Sequence, residues 1–199
     1  MTRKPEANIV LVGFMGTGKT AVGRILAARL GRPLVDMDAV LAERAGKTVA
    51  AIFAQDGERR FRARERALVR ELAARTGLVI AAGGGVVLNP DNLRVFGRTG
   101  RVVCLAAAPE AILARVGRET HRPLLEGGDK ARRIRELLEE RRPLYAAIPD
   151  RIDTTGRTPA QVAAAILRPG PAARRRTRRA GKTLLALRAG SGIQAGARP

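Results

Sequence analysis

The run Asn8-Ile9-Val10-Leu11-Val12-Gly13 is apolar, rich in β-branched residues, and ends in glycine. From Thr20 to Leu30 the apolar positions become Val22, Ile25, Leu26 and Leu30, the spacing of one helical face. The chain therefore opens as strand, loop and helix. Pro33-Leu34-Val35-Asp36 predicts a second strand ending in an acid, and residues 38 to 75 carry helical patterns broken near Gly46 and Gly57. Leu78-Val79-Ile80-Ala81, Val102-Val103-Cys104-Leu105 and Arg151-Ile152-Asp153 predict a third, fourth and fifth strand. Helices near 90–97, 109–116, 130–147 and 158–167 alternate with them. Near-continuous apolar strands separated by helices predict an α/β fold, a parallel sheet covered on both faces with ligands at the carboxyl ends of its strands. Asp36, Gly83 and Gly13 would converge there.

The pattern changes after Leu167 to Arg-Pro-Gly-Pro-Ala-Ala-Arg-Arg-Arg-Thr-Arg-Arg and then to a run rich in glycine and alanine. This predicts a domain over residues 1–167 and a basic, disordered tail over 168–199. The formal charge of +20 over 199 residues favours anionic partners. The tail holds nine of the 38 basic residues and no acidic ones, so residues 1–167 keep an excess of eleven positive charges. No tryptophan, one tyrosine and four phenylalanines leave few platforms for stacking bases, which makes nucleic acid a weaker expectation than small phosphates. A single cysteine, Cys104, offers no internal disulfide and fits a reducing compartment, the cytoplasm. The early apolar run is too short for a secretory core or a membrane span, so no membrane partner is expected.

Gly13-Phe14-Met15-Gly16-Thr17-Gly18-Lys19-Thr20 is a complete G-x-x-x-x-G-K-T between strand and helix. Its glycines allow backbone N–H groups to turn inward around a phosphate, with Gly16, Thr17 and Gly18 in the cradle. Lys19 can reach the β and γ oxygens, and the Thr20 hydroxyl suits Mg²⁺. Gly181-Lys182-Thr183 echoes the ending of this motif, but Arg176 stands where its first glycine is required.

Asp36-Met37-Asp38 follows the second strand, and in extended chain residues two apart point the same way, so both carboxylates can face the cleft. Asp38 could equally cap a helix. Gly83-Gly84-Gly85 after the third strand can lie flush against a ligand or simply form a tight turn. Arg62, in Phe61-Arg62-Ala63-Arg64-Glu65, is either a fork for a carboxylate or one of a solvated set of arginines.

Together these residues resemble the shikimate kinase family, from about Asn8 to Leu167. The resemblance rests on the loop at Gly13 to Thr20, Asp36-Met37-Asp38, Phe53 to Glu65, the triple glycine, His121-Arg122-Pro123-Leu124-Leu125 and Arg141-Arg142-Pro143-Leu144-Tyr145. It implies a P-loop kinase of the nucleoside-monophosphate-kinase-like class, with a five-stranded parallel sheet of order 2-3-1-4-5 and a lid. The implied activity is ATP-dependent phosphorylation of the 3-hydroxyl of shikimate, a step toward chorismate and aromatic amino acids, with Mg²⁺ as cofactor. Asp38 matches the carboxylate that binds the acceptor hydroxyls, Arg62 and Arg141 match the clamp on the shikimate carboxylate, and Gly83, Gly84 and Gly85 line the same pocket. Asp36 matches the acid near the metal, and Glu65 the acid that orients Arg62. Arg122 matches the lid arginine that reaches ATP phosphates, while Arg115, Arg157 and Pro159 fall on the nucleotide side. Family members are commonly monomeric. Arg142 occupies a variable position and inherits no role, and Thr20 stands where many relatives have serine.

The chemistry expected is in-line phosphoryl transfer, with Asp38 orienting the acceptor and Lys19 and Arg122 neutralising charge on the transferred group. Residues 117–129 begin and end near glycines and are expected to close as a lid. His121, the sole histidine, carries no assignment, and Cys104 is expected in the core. Two rivals are a gluconate kinase with the same nucleotide half and a nucleic-acid-binding NTPase suggested by the charge.

Overall fold

The structure, a computed structural model, describes residues 6–116 and 129–168. The lid segment with Arg122 and the tail beyond Arg168 lie outside the described residues. The chain divides after Leu167, and the unit up to that point is described below.

Five strands form one parallel sheet: β1 (Asn8–Val12), β2 (Leu34–Asp36), β3 (Val79–Ala81), β4 (Gly100–Ala106) and β5 (Arg151–Asp153), in the order β2-β3-β1-β4-β5. The helices are α1 (Lys19–Leu30), α2 (Met37–Ala45), α3 (Val49–Ala73), α4 (Pro90–Thr99), α5 (Pro109–Val116), α6 (Lys130–Ala146) and α7 (Pro159–Leu167). Alternate side chains of each strand point to opposite faces. Val10, Val12 and Ile80 join one core with Phe61, Leu68, Phe96 and Ile134, while Ile9, Leu11, Val79 and Val103 join another with Leu26, Val162 and Ile166. Burial on both faces explains why the strands read as apolar runs instead of alternating with polar residues.

The strand order agrees with the expected one, and the differences are local. β4 starts two residues before the apolar run, because Gly100 and Arg101 pair with Asn8 and Ile9 of β1. Gly46 separates α2 from α3, closing α2 in the left-handed conformation. Gly57 breaks the helical dihedrals within α3 (φ 79°, ψ 159°), so the two segments meet at a kink. The described part of the sheet leaves β2's end, the turn after β3 and the loop after β1 side by side, with β3 in the middle.

Candidate functional site

The loop between β1 and α1 takes its shape from glycines with left-handed φ at 13, 16 and 18. Lys19 Nζ donates to the carbonyls of Gly13 and Phe14, both at 2.9 Å, and Thr17 Oγ1 donates to Phe14 O at 2.7 Å. Thr17 is buried, so it braces the loop from beneath. A cleft of about 300 Å³ opens above it, lined by Gly16, Gly18, Lys19, Thr20, Asp36, Asp38 and Arg115. The two acids reach it differently from the extended geometry expected. Asp36 ends β2 and caps α2, its Oδ1 accepting from the N–H groups of Asp38 and Ala39. The cap is therefore Asp36, and Asp38 sits in the first turn of α2.

Asp36 Oδ2 accepts from Thr20 Oγ1 at 2.7 Å. This pairs a hydroxyl and a carboxylate beside the phosphate cradle, hard oxygen donors of the kind Mg²⁺ accepts when nucleotide phosphates and water complete its shell.

The triple glycine follows β3 and is packed so closely that side chains are excluded. A Cβ at Gly83 would lie 2.7 Å from Asp38 Oδ1 and 3.1 Å from Glu65 Oε1. At Gly85 it would lie 2.4 Å from both terminal nitrogens of Arg62. Arg62 is thus held across the glycines from Asp38, with 20% of its side chain exposed. It pairs with Glu65 through Nη1 (3.0 Å) and with Glu58 through Nη2 (3.0 Å), and its guanidinium lies 5.2 Å from the Phe61 ring centroid. This excludes the solvated reading of Arg62.

Glu65 is 1% exposed, and its Oε1 has no hydrogen-bond partner. Burial raises its pKa above the usual carboxylate range, against the lowering pull of Arg62, and Asp38 adds to the rise.

Arg141, on α6, is 5% exposed and makes no ion pair with a described carboxylate; its Nε lacks a partner. Its guanidinium lies 5.8 Å from the Phe14 ring centroid and next to Tyr145, whose hydroxyl donates to Gly84 O at 3.0 Å. Burial pushes the Tyr145 hydroxyl up to about 12 despite that arginine, so it remains a donor. Neither Arg62 nor Arg141 lines the cleft over Lys19 directly. Both meet the glycine segment on which Asp38 also rests, Arg62 at Gly85 and Arg141 by way of Tyr145 at Gly84. A buried guanidinium with an unpaired Nε is suited to an anionic partner.

On the nucleotide side, Arg115 donates to Gly16 O (3.1 Å) and to both oxygens of Thr154 (3.0 and 2.8 Å), tying α5 to the phosphate loop. Arg157 and Pro159 are exposed on the segment from β5 into α7 and do not line the cleft. Sequence reasoning gave no separate role to Phe14, Tyr145 or Thr154. For Tyr145 the available signal is its position four residues after Arg141, on the same helical face.

The shikimate kinase family model matches residues 15–169. The chain belongs to the shikimate kinase family. A shikimate kinase of Pelotomaculum thermopropionicum is 52% identical over 147 residues, covering 74% of this chain and 86% of that protein. One from Thermodesulfovibrio yellowstonii is 43% identical and covers 81% and 93%. Among solved structures, a shikimate kinase from Acinetobacter baumannii in complex with shikimate superposes with a TM-score of 0.78 at 39% identity, covering 81% of this chain and 91% of that one. A gluconokinase from Sinorhizobium meliloti shares the fold at 18% identity. As a member of the shikimate kinase family, the chain is a kinase acting on an alcohol.

Proposed function

We propose that this chain transfers the γ-phosphoryl group of MgATP to the 3-hydroxyl of shikimate, with the acceptor seated over Gly83 to Gly85. The observation that carries the reading is that one carboxylate, Asp38, and one guanidinium, Arg62, meet that segment, with the buried Arg141 beside Tyr145, which bonds to Gly84. A small molecule with hydroxyls at one end and a carboxylate at the other matches that charge order. Gly16, Thr17, Gly18, Lys19 and Thr20 cradle the phosphates, and Arg115, Arg157 and Pro159 flank the nucleotide.

Thr20 and Asp36 would hold Mg²⁺, which would supply positive charge to the phosphate oxygens. Asp38 accepts the hydrogen bond of the attacking hydroxyl and fixes its lone pair toward phosphorus. A bond forms between that oxygen and the γ-phosphorus while the bond to the ADP oxygen breaks, and the hydroxyl proton leaves toward Asp38. Lys19 exchanges the carbonyls of Gly13 and Phe14 for phosphate oxygens, and Arg122, outside the described residues, is the second cation assigned to them. The enzyme works as a cytoplasmic monomer without specific nucleic-acid binding. No helix of the described residues is long and apolar enough to cross a membrane.

A coupled assay with MgATP tests the reading, comparing shikimate with gluconate and the parent with Arg62→Ala. Turnover on shikimate alone, with a large rise in shikimate KM for the variant, is expected. Equal turnover on gluconate, or an unchanged KM, overturns the assignment.

A further inference from the structure

A second cavity, of about 200 Å³, lies between the phosphate loop at Phe14 and Thr17, the carboxyl-terminal end of β4 and α6, and shares no lining residue with the cleft over Lys19. Its inner wall is apolar: Phe14, Leu105 and Tyr145 are buried, and Leu138 is half-buried. Cys104 also contributes to the wall, and burial raises its thiol to about 11, so it stays protonated and adds no charge. The mouth differs from the wall. Arg142 and Arg151, both exposed, stand there with Glu139.

Glu139 meets Arg142 through Nε at 3.2 Å, whereas Arg151 pairs with no carboxylate among the described residues. Two guanidinium groups against one carboxylate leave the rim positive. Arg142 has no part in the acceptor clamp, so its charge has no other use in the site described above.

We propose that this cavity is a binding site for a small monocarboxylate with a single apolar ring, the ring against Phe14, Leu105 and Leu138 and the carboxylate between Arg142 and Arg151. Size agrees: an apolar cavity of roughly 150 Å³ accepts benzene, and this one is larger, at about 200 Å³. A guanidinium fork gives the carboxylate direction, and the apolar wall rewards the ring. Occupancy reaches the catalytic machinery through Phe14, Thr17 and Tyr145, which all line the cavity. Phe14 lines this cavity, its ring supports Arg141, and its carbonyl holds Lys19 and Thr17. A ligand there touches residues that support both substrate compartments, while the cavity shares no lining residue with the cleft over Lys19.

The test is calorimetric titration of the full chain with 3-phenylpropionate, its neutral amide and propionate, with backbone amide NMR to locate the site. The expected result is saturable binding of 3-phenylpropionate alone, with shifts at Leu105 to Ala107 that persist under saturating shikimate and MgATP. Both comparators should bind at least tenfold more weakly, one lacking the charge and the other the ring. The Arg142→Ala/Arg151→Ala double variant should lose affinity by roughly tenfold, the effect of a lost charge-assisted contact, while its turnover on shikimate stays at the parent level. Equal affinity of parent and double variant overturns the proposal. So does displacement of the probe by either substrate, or absence of binding, and these binding readouts are separate from whether the chain phosphorylates shikimate.

Discussion

Replacing Gly85 with alanine tests how far acceptor recognition depends on the missing side chain. The new Cβ would stand 2.4 Å from Nη1 and Nη2 of Arg62, where ordinary contact begins at 3.4 Å. The guanidinium must therefore retreat by about 1 Å, which its long side chain can do without moving the backbone. Gly85 itself has φ −99°, open to any residue, so the substitution adds no backbone strain. Stability should hold, with Tm shifting by less than about 3 °C. Misplacing a substrate clamp by about 1 Å costs on the order of 100-fold in rate, about 2.7 kcal/mol. Steady-state kinetics with shikimate varied at saturating MgATP should give kcat/KM lower by about that factor, with the KM for ATP little changed. A value within about threefold of the parent, in a variant that melts like the parent, would refute the reasoning that Arg62 acts from the position it holds against Gly85.

Asp38→Asn keeps shape and removes the base, so kcat should fall by about 10²- to 10⁴-fold; single-turnover measurements giving parent-like rates would remove Asp38 from the proton's path. Glu65 has a raised pKa in the fold, so the native state binds its proton more tightly than the unfolded chain, and its burial costs stability increasingly as pH climbs from the ordinary carboxylate range through the raised value. The Tm of Glu65→Gln should therefore gain on the parent with rising pH across that window, and a difference that is flat or of opposite slope contradicts the burial argument. Cutting the chain after Leu167 should leave shikimate turnover unchanged and remove any salt-dependent retention on DNA, which a filter-binding series in rising salt would check; lost turnover would make the tail part of the site.

The phosphate loop could be read from the sequence because its information is local: eight consecutive residues, a strand before and a helix after. The sheet was legible for a related reason, since burial on both faces writes apolar runs that few other elements produce. The acids show the limit. The spacing places Asp36 and Asp38 in the cleft, and both line it, but Asp36 as the cap of α2 and Asp38 in its first turn instead of by extended alternation, because α2 begins immediately after β2.

Spacing could not distinguish Arg62 from its neighbouring arginines. What singles it out is contact with Glu65, Phe61 and Gly85, the last of them 23 residues further along the chain. The packing of Arg141 on Phe14, and the bond from Tyr145 to Gly84, join residues far apart in sequence and leave no periodic trace.

Asp36 divides its two oxygens between separate tasks, one holding the start of α2 and the other holding Thr20. Truncating it to alanine would confound two losses, since the turn that presents Asp38 would fray while the carboxylate proposed to hold Mg²⁺ disappeared. Asparagine keeps an oxygen for the cap and discards the charge, so the contrast between the two variants separates scaffolding from ion affinity. Magnesium titrations on an alanine variant alone would blame the ion for damage done to the frame.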